Sequence, residues 1–279
     1  MRYSLSTNWC NRRLESGEAI VDEALKLGFD ELELGFHTTD YQEKGFKARL
    51  GEMPVGSIHA FCPVPLSAPM GYPELYALAS FDEEARKMAA FQVKKNIRFA
   101  AEMGADALVL HMGRVMCDGW IKKWNMKRRI KRGAKMIEIA KRELDALVPE
   151  LEANKVTLGL ENLPYLEGFP AEWEVEELCG EWVKPWFDTG HDFVRQANGW
   201  SELGDAASEE HWRYDILGMH INDSVGGDDH LAPGQGKVDF AALKPLAETA
   251  RHIVFEPNSE ISEADLAIGL IYLKELFSS

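Results

Sequence analysis

Short apolar runs alternate with longer amphipathic segments from one end of the chain to the other. The runs contain few polar positions, which is typical of strands in a sheet that is covered on both faces. Parallel neighbours need crossover connections, usually helices, so the alternation predicts eight parallel strands in a (β/α)8 barrel. The predicted strands are Arg2–Ser6, Glu31–Phe36, Val55–Ala60, Ala107–His111, Val156–Glu161, Pro185–Asp188, Gly218–Ile221 and Ile253–Glu256.

The best-defined helical pattern lies between Phe81 and Met103. Ser80 and Glu83 have the spacing of a capping box at its start, and Gly104 is suited to its C-terminal end. Apolar residues recur every four positions and predict the stripe that faces the barrel, namely Ala85, Ala89, Val93, Ile97 and Ala101. Further helices are predicted over Ala19–Leu27, Gly133–Leu151 and Ser262–Phe277.

No repeat, low-complexity segment or linker divides the chain. Its 279 residues suit one α/β barrel, since barrels of this kind have about 250 residues. The hydrophobic content of 46% is ample for a buried core. We therefore predict a single (β/α)8 TIM-barrel domain over residues 1–279.

Histidine, aspartate or glutamate residues stand at the ends of six predicted strands, and further ones follow two of them closely. In a parallel barrel all strand C-termini open onto one face, where the chemistry takes place. An ionised carboxylate after a buried apolar run is strongly disfavoured unless it is paired or bound to a metal. The candidate metal ligands are His59, His111, Glu161, Asp188, His191, His220, Asp228, His230 and Glu256.

A single histidine at a strand end is more often a hydrogen-bonded core residue than a ligand. Nine candidates on one rim favour a metal centre instead. Imidazoles combined with carboxylates suit Zn²⁺, Mn²⁺ or Fe²⁺. No thiolate belongs to the set, which disfavours a structural zinc site.

Composition limits the classes of binding partner and indicates the cellular compartment. The net charge of −15 and the pI near 5.0 argue against non-specific attraction to nucleic acid or anionic membranes. The four cysteines are more than fifty residues apart, which disfavours a zinc ribbon and a disulfide scaffold. The N-terminus has no signal-like apolar stretch, and no run approaches 18 apolar residues. We expect a soluble, cytoplasmic protein.

One segment departs from this acidic balance. Residues 112–142 contain eleven lysines or arginines against Asp118 and Glu138, so the segment is +9 and the rest of the chain −24. It begins directly after His111, on the predicted catalytic face. There Arg114 could hold a phosphate, while Trp120 and Trp124 could stack on a base or sugar. The alternative interpretation is that these positive charges form the solvated face of the fourth barrel helix. This interpretation is favoured for the residues beyond Gly133.

Three segments carry a resemblance to a known family: Phe187–His191 (FDTGH), Gly218–Asp223 (GMHIND) and the Gly-Gln-Gly turn at 234–236. They resemble the xylose isomerase-like barrels, the superfamily that also contains endonuclease IV. All nine metal ligands of endonuclease IV find a counterpart of the same type in this chain. The resemblance implies three metal sites, made by His59, His111 and Glu161, by Glu161, Asp188, His220 and Glu256, and by His191, Asp228 and His230.

The commonest activity in this superfamily is the isomerisation or epimerisation of a sugar or sugar phosphate. The resemblance implies a divalent metal (Zn, Mn, Mg or Co, one to three per chain) that chelates neighbouring oxygens of a small polyhydroxy substrate. Glu161 and Glu256 would then be the catalytic residues that move the proton between the two faces of the substrate.

The alternative is a phosphodiester hydrolase with three zinc ions, similar to the apurinic-site endonuclease, for which DNA would be the partner. Endonuclease IV inserts an aromatic–aliphatic pair into DNA, and Cys62 and Pro63 stand at the matching positions here. The segment 37–42 has no counterpart of the arginine-bearing loop. Both departures weigh against duplex binding. A non-catalytic binding barrel that retains a metal is a third interpretation, because a fold alone does not establish activity.

Overall fold

The computed structural model describes residues 1–66, 71–115, 126–200 and 216–278, apart from the side chains of 126–128, 172 and 228. The strands are β1 (Tyr3–Ser6), β2 (Glu31–Leu34), β3 (Val55–His59), β4 (Ala107–Leu110), β5 (Thr157–Glu161), β6 (Val183–Asp188), β7 (Gly218–Ile221), β8 (Asp223–Val225), β9 (Asp228–Leu231) and β10 (His252–Phe255). The helices are α1 (Gly17–Leu27), α2 (Asp40–Arg49), α3 (Glu83–Met103), α4 (Met126–Asp145), α5 (Val148–Asn154), α6 (Glu172–Val175), α7 (Thr189–Ala197), α8 (Phe240–Thr249) and α9 (Glu263–Ser278).

Eight of these strands, β1 to β7 and β10, form a closed parallel barrel, and β10 pairs with β1 to complete it. The predicted (β/α)8 barrel is therefore confirmed. Strands β8 and β9 make a separate antiparallel hairpin after β7. The strand bounds agree with the predicted ones to within two residues, and those of β7 agree at both ends. His111 and Glu256, predicted as the last residues of their strands, directly follow β4 and β10.

The start of α3 differs from the prediction. The N-cap is Asp82, whose side chain accepts a hydrogen bond from the Ala85 amide at 2.9 Å, whereas the Ser80 hydroxyl accepts one from the Asp82 amide. The predicted capping box of Ser80 and Glu83 is wrong, because an aspartate two residues further on competes for the same free amides. Gly104 ends the helix with a φ of 79°, as predicted.

The predicted inward stripe of α3 is correct only in its middle. Ala89, Val93 and Ile97 are fully buried, but Ala85 is exposed and Ala101 is only half-buried. With about 3.6 residues per turn, a four-residue spacing drifts around the helix by roughly 40° at each step. The two ends of such a stripe therefore leave the face that packs on the barrel.

The segment predicted as one helix over Gly133–Leu151 contains the end of α4 and most of α5. Leu147 is the N-cap of α5, and a proline occupies the first turn of that helix. Proline has no amide hydrogen to continue the ladder of a preceding helix, so it marks the start of a new one.

Trp186 fills the barrel interior below the strand ends. Its fully buried side chain lies against Gly159 of β5 and Gly218 of β7, where a Cβ atom at either glycine would overlap the indole ring. The indole thereby forms a floor beneath His220, with ring centroids 5.2 Å apart. None of the helices in the described ranges has the length and apolar character that a membrane crossing requires.

Candidate metal centre

The strand ends bring four of the predicted ligands together around one nitrogen atom. The His220 Nδ1 atom lies 2.8 Å from Glu161 Oε1, 3.1 Å from Glu256 Oε2 and 3.9 Å from Asp188 Oδ2. All four side chains are buried. Three carboxylates that converge on one buried imidazole form a compact set of oxygen and nitrogen donors.

A second group shares Glu161 with the first. His59 Nε2 and His111 Nε2 lie 3.1 and 2.9 Å from Glu161 Oε2. The Nδ1 atom of His59 contacts the Ala60 carbonyl at 3.0 Å, while the buried Nδ1 atom of His111 has no hydrogen-bond partner among the described residues.

The third predicted group lies at the edge of the cluster. His191 donates its Nδ1–H to the Asn162 carbonyl at 2.8 Å, and His230 donates its Nδ1–H to the Glu256 carbonyl at 2.7 Å. The Nε2 atoms of both rings therefore face away from these carbonyls. Asp229 Oδ2 lies 3.8 Å from His191 Nε2.

Asp228, the predicted carboxylate of this third group, belongs to β9, but its side chain lies outside the described residues. Sequence reasoning missed Asp229, which was the other acidic residue of the Asp-Asp-His run.

Hydrogen bonds fix the orientation of Asp188. Its Oδ1 atom accepts a bond from the His191 amide at the start of α7, and its Oδ2 atom accepts one from the Asn222 side chain, both at 2.7 Å. A Cβ atom at Gly190 would overlap Asn222 Oδ1, so the Thr-Gly-His motif requires its glycine. The Asn162 side chain holds both backbone polar groups of Asp188.

Burial and charge act in opposite directions on the pKa values of the cluster. Burial alone would raise the pKa of Glu161, but His220 and His111 outweigh it and hold the pKa well below its usual range. Burial would lower the pKa of His220, but Glu256, Glu33 and Glu161 raise it well above 6.5. The pKa of Asp188 is raised, mainly by burial.

The side chains present fit a divalent cation. Four overlapping groups of three or four side chains place candidate ligand atoms within 4.8 Å of one another, and their members are His59, Glu161, Asp188, His191, His220, Asp229, His230 and Glu256. Buried carboxylates of this density require compensation by cations. Imidazole and carboxylate donors are those that Zn²⁺, Mn²⁺ and Co²⁺ accept.

A cavity of about 350 Å³ opens above the cluster. Its floor includes His59, His111, Glu161 and Glu256, and its walls include the aromatic rings of Phe36 and Tyr165. Asn8 also lines it and donates a hydrogen bond to Glu256 Oε1 at 3.2 Å. The cavity is large enough for a small molecule that has both polar and apolar faces.

Arg114 lies on the rim of this cavity, but its charge is already paired. Its Nε atom donates to Glu74 Oε2 at 2.6 Å, and its guanidinium lies 3.9 Å above the Tyr165 ring. The predicted contact of Arg114 with a substrate phosphate therefore stays a prediction. Trp120 and Trp124, the other predicted substrate contacts, lie outside the described residues.

Arg129, another member of the basic segment, is structural. It is fully buried, forms two hydrogen bonds with Glu174 at 2.6 and 2.7 Å, and donates to the carbonyls of Leu166 and Gly168. A guanidinium with these partners holds the loop between β5 and α6 and does not reach the cavity.

Comparisons with solved structures agree with this architecture. A D-tagatose 3-epimerase-like protein has 20% sequence identity and a TM-score of 0.74, with 100% of this chain and 97% of that chain covered. The 3-keto-D-glucoside 4-epimerase YcjR from E. coli has 16% identity and a TM-score of 0.71, with 99% of each chain covered. The IolI protein with a bound zinc atom has 14% identity and a TM-score of 0.72, with 100% and 98% covered.

At these identities the structural similarity establishes the fold. No curated protein matches the sequence significantly. A family model, described as the xylose isomerase-like TIM barrel, matches residues 21–276. Because this match spans most of the sequence, the chain belongs to the xylose isomerase-like TIM-barrel family.

Proposed function

We propose that the protein is a divalent-metal-dependent isomerase or epimerase of a small sugar or sugar phosphate. One observation carries the proposal: Glu161 and Glu256 both approach His220 Nδ1, at 2.8 and 3.1 Å, directly beneath a cavity of about 350 Å³. Epimerases of free or modified sugars among the structural neighbours support the same class of reaction.

Glu161, Asp188, His220 and Glu256 would hold the metal. When bound, a divalent cation supplies Lewis-acid polarisation of adjacent substrate oxygens, which acidifies the C–H bond between them. The residues of the chain then carry the proton. Glu161 has a low pKa. The pKa of Glu256 is also lowered, because His220 and His230 outweigh the effect of burial. Both groups are therefore ionised at neutral pH. One ionised carboxylate would accept the proton from the substrate carbon. The other would first take up a proton from solvent and then deliver it to the opposite face.

The surroundings of the two glutamates suit these roles. Glu161 is held through both oxygens by His220, His59 and His111, whereas Asn8 orients Glu256 through a single hydrogen bond to Oε1. Phe36 and Tyr165 give the cavity apolar surfaces for the C–H faces of a sugar ring or chain.

Proton exchange with solvent tests the proposal. The metal-free protein would be loaded with Mn²⁺ or Co²⁺ and incubated with a panel of free and phosphorylated ketoses in D₂O. In an epimerisation we expect deuterium to enter the substrate carbon that changes configuration. In an isomerisation we expect it to enter the carbon from which the carbonyl moves away. Glu161→Gln and Glu256→Gln should each lower the rate by about 10²–10⁴-fold, the range for loss of a general acid or base.

Glu260→Gln is the matched control for this experiment, because Glu260 is exposed and lies four residues beyond Glu256. Its exchange rate should equal that of the wild type. Absence of exchange with every ketose, in protein that binds the metal, would contradict the enzymatic proposal and favour a non-catalytic metal-retaining barrel.

Phosphodiester hydrolysis is the second candidate, and one observation favours it. The Nε2 atoms of His191 and His230 face away from their carbonyl partners, beside Asp229, which is the arrangement that an additional metal ion would need. Against it, Cys62 is fully buried and cannot protrude into a DNA duplex. Cleavage of an oligonucleotide with one abasic site, lost in His230→Ala, would establish this alternative.

A further inference from the structure

The imidazole ring of His220 is held between two other rings. His59 stacks parallel to it, with centroids 5.5 Å apart and an interplanar angle of 4°, and Trp186 presents an edge contact at 5.2 Å. Contacts with the faces of the ring fix its plane. They do not distinguish two orientations that differ by a half-turn, because such a turn exchanges nitrogen and carbon atoms within the same plane.

The edges of the ring provide that distinction. Nδ1 faces the carboxylates of Glu161 and Glu256, whereas Nε2 lies 3.1 and 3.2 Å from the two oxygens of Glu33. Glu33 is fully buried in β2 and belongs to none of the candidate ligand groups among the described residues. Its Oε2 atom accepts a hydrogen bond from the Ser57 hydroxyl at 2.9 Å, and Ser57 is its direct neighbour in β3.

We propose that Glu33 is a positioning residue for the metal centre, which accepts the Nε2–H of His220 and thereby presents Nδ1 as the metal-binding atom. The inference rests on the proposed metal centre and adds to it a residue that touches neither metal nor substrate. A half-turn of the ring would bring a C–H group to the position of Nδ1 and another against the Glu33 carboxylate. The buried carboxylate would then lose its imidazole partner, which disfavours the turned orientation.

Carboxylates that hold the second nitrogen of a metal-bound histidine fix both the orientation and the basicity of the ligand. Removing such a partner typically lowers metal affinity by about 10–100-fold. In this barrel Glu33 reaches His220 across the interior, since β1 and β10 separate β2 from β7 in the sheet. Glu33 thus links the metal centre to a strand that contributes no ligand.

Metal affinity of the Glu33 variants tests this role. Metal-free protein would be titrated with Mn²⁺ in competition with a fluorescent chelator, and the absorption spectrum of the Co²⁺ form would report the coordination. We expect Glu33→Leu to lower the affinity by about 10–100-fold and to change the Co²⁺ spectrum. Glu33→Gln keeps an oxygen acceptor for Nε2–H and should recover part of the loss.

Glu31→Leu is the matched control. Glu31 is a buried carboxylate of the same strand, but it binds Arg2 and the Ser4 hydroxyl at the other end of the barrel. The Glu31→Leu variant should lose thermal stability without losing metal affinity. Ser57→Ala removes only the hydrogen bond that orients Glu33, and it provides a milder variant should Glu33→Leu fail to fold. The metal affinity of Ser57→Ala should also be lower than that of the wild type.

Three results would overturn the inference. Metal affinity in folded Glu33→Leu within twofold of the wild type would show that Glu33 does not position His220. Equal losses in Glu33→Gln and Glu33→Leu would show that the carboxylate acts by its charge and not as a hydrogen-bond acceptor. A wild-type protein that binds no metal would remove the metal centre itself, and the role of Glu33 with it.

Discussion

His230 lies at the edge of the ligand cluster, where its protonation is linked to the stability of the metal-free fold. Burial would lower its pKa, but Glu256, Asp188 and Asp229 raise it to about 9, from 6.5 in an unfolded chain. A histidine with a raised pKa stabilises the fold fully below the unfolded value, and this contribution is lost as the pH rises through the folded value.

Protonated His230 should therefore stabilise the metal-free protein at pH 6.5 and below, and this contribution should disappear between pH 6.5 and about 9. Thermal unfolding in the presence of a chelator measures it. Tm should fall over that interval in the wild type and fall less in His230→Asn. Identical pH profiles for the two proteins would contradict the raised pKa.

The close approach of Gly190 to Asn222 can be tested by adding a single methyl group at position 190. Alanine at this position would push Asn222 away, and Asn222 binds both Asp188 Oδ2 and the His230 amide. We expect Gly190→Ala to lower metal affinity by about tenfold, as loss of a ligand-orienting partner does, and stability by about 1–3 kcal/mol. Gly180→Ala is the control, since nothing lies within 4 Å of its added Cβ atom. Unchanged metal affinity in Gly190→Ala would contradict the role of Asn222.

At the scale of secondary structure, the loop between β5 and α6 is held by two buried arginines from different helices. Arg129 of α4 binds Glu174 and the carbonyls of Leu166 and Gly168. Arg195 of α7 donates to the Tyr165 carbonyl at 2.8 Å. This loop carries Tyr165, which forms a wall of the cavity, so both helices contribute to the shape of the site.

Breaking the Arg129–Glu174 pair should be costly, because it leaves a buried carboxylate without its partner. We expect Arg129→Met to lower the free energy of unfolding by about 3–5 kcal/mol, measured by urea denaturation. The double variant Arg129→Met with Glu174→Leu should recover much of this loss, since it removes both charges.

The exposed pair Arg98–Glu150 provides the comparison for this prediction. Arg98→Met should cost no more than about 1 kcal/mol. A similarly small cost for Arg129→Met would mean that Arg129 does not hold the loop.

The sequence predicted those features of the fold and site that depend on local pattern. Strand ends followed by His, Asp or Glu are visible in the sequence, and the fold brings His59, Glu161, His220 and Glu256 together as such a pattern predicts. Glu33 was missed because it is one of two glutamates that alternate with leucines in β2, and its partner across the barrel is 187 residues away. The pairing of Arg114 with Glu74 could not be predicted for the same reason, since it joins two loops.

At the scale of the whole molecule, the cluster connects strands from both halves of the chain. Ligand candidates come from β3 in the first half and from β5, β6, β7 and the end of β10 in the second. A cation that binds the folded barrel and not the unfolded chain stabilises the entire fold. At a free concentration of about 100 times Kd the gain is about 2.7 kcal/mol. We expect Tm to rise with Mn²⁺ concentration in the wild type and to stay constant in His220→Ala.

The number of ions per chain separates the two proposed activities. The carboxylates of Glu161, Asp188 and Glu256 all converge on His220 Nδ1, whereas His191 and His230 lie further out with Asp229. We therefore expect one ion to bind more tightly than any other, and elemental mass spectrometry of protein purified without added metal should give about one per chain. His191→Ala should retain this ion, and His220→Ala should lose it. Three zinc ions per chain, lost together in either variant, would contradict the single-metal isomerase and favour phosphodiester hydrolysis, for which neighbouring ions about 3.5–4 Å apart are typical.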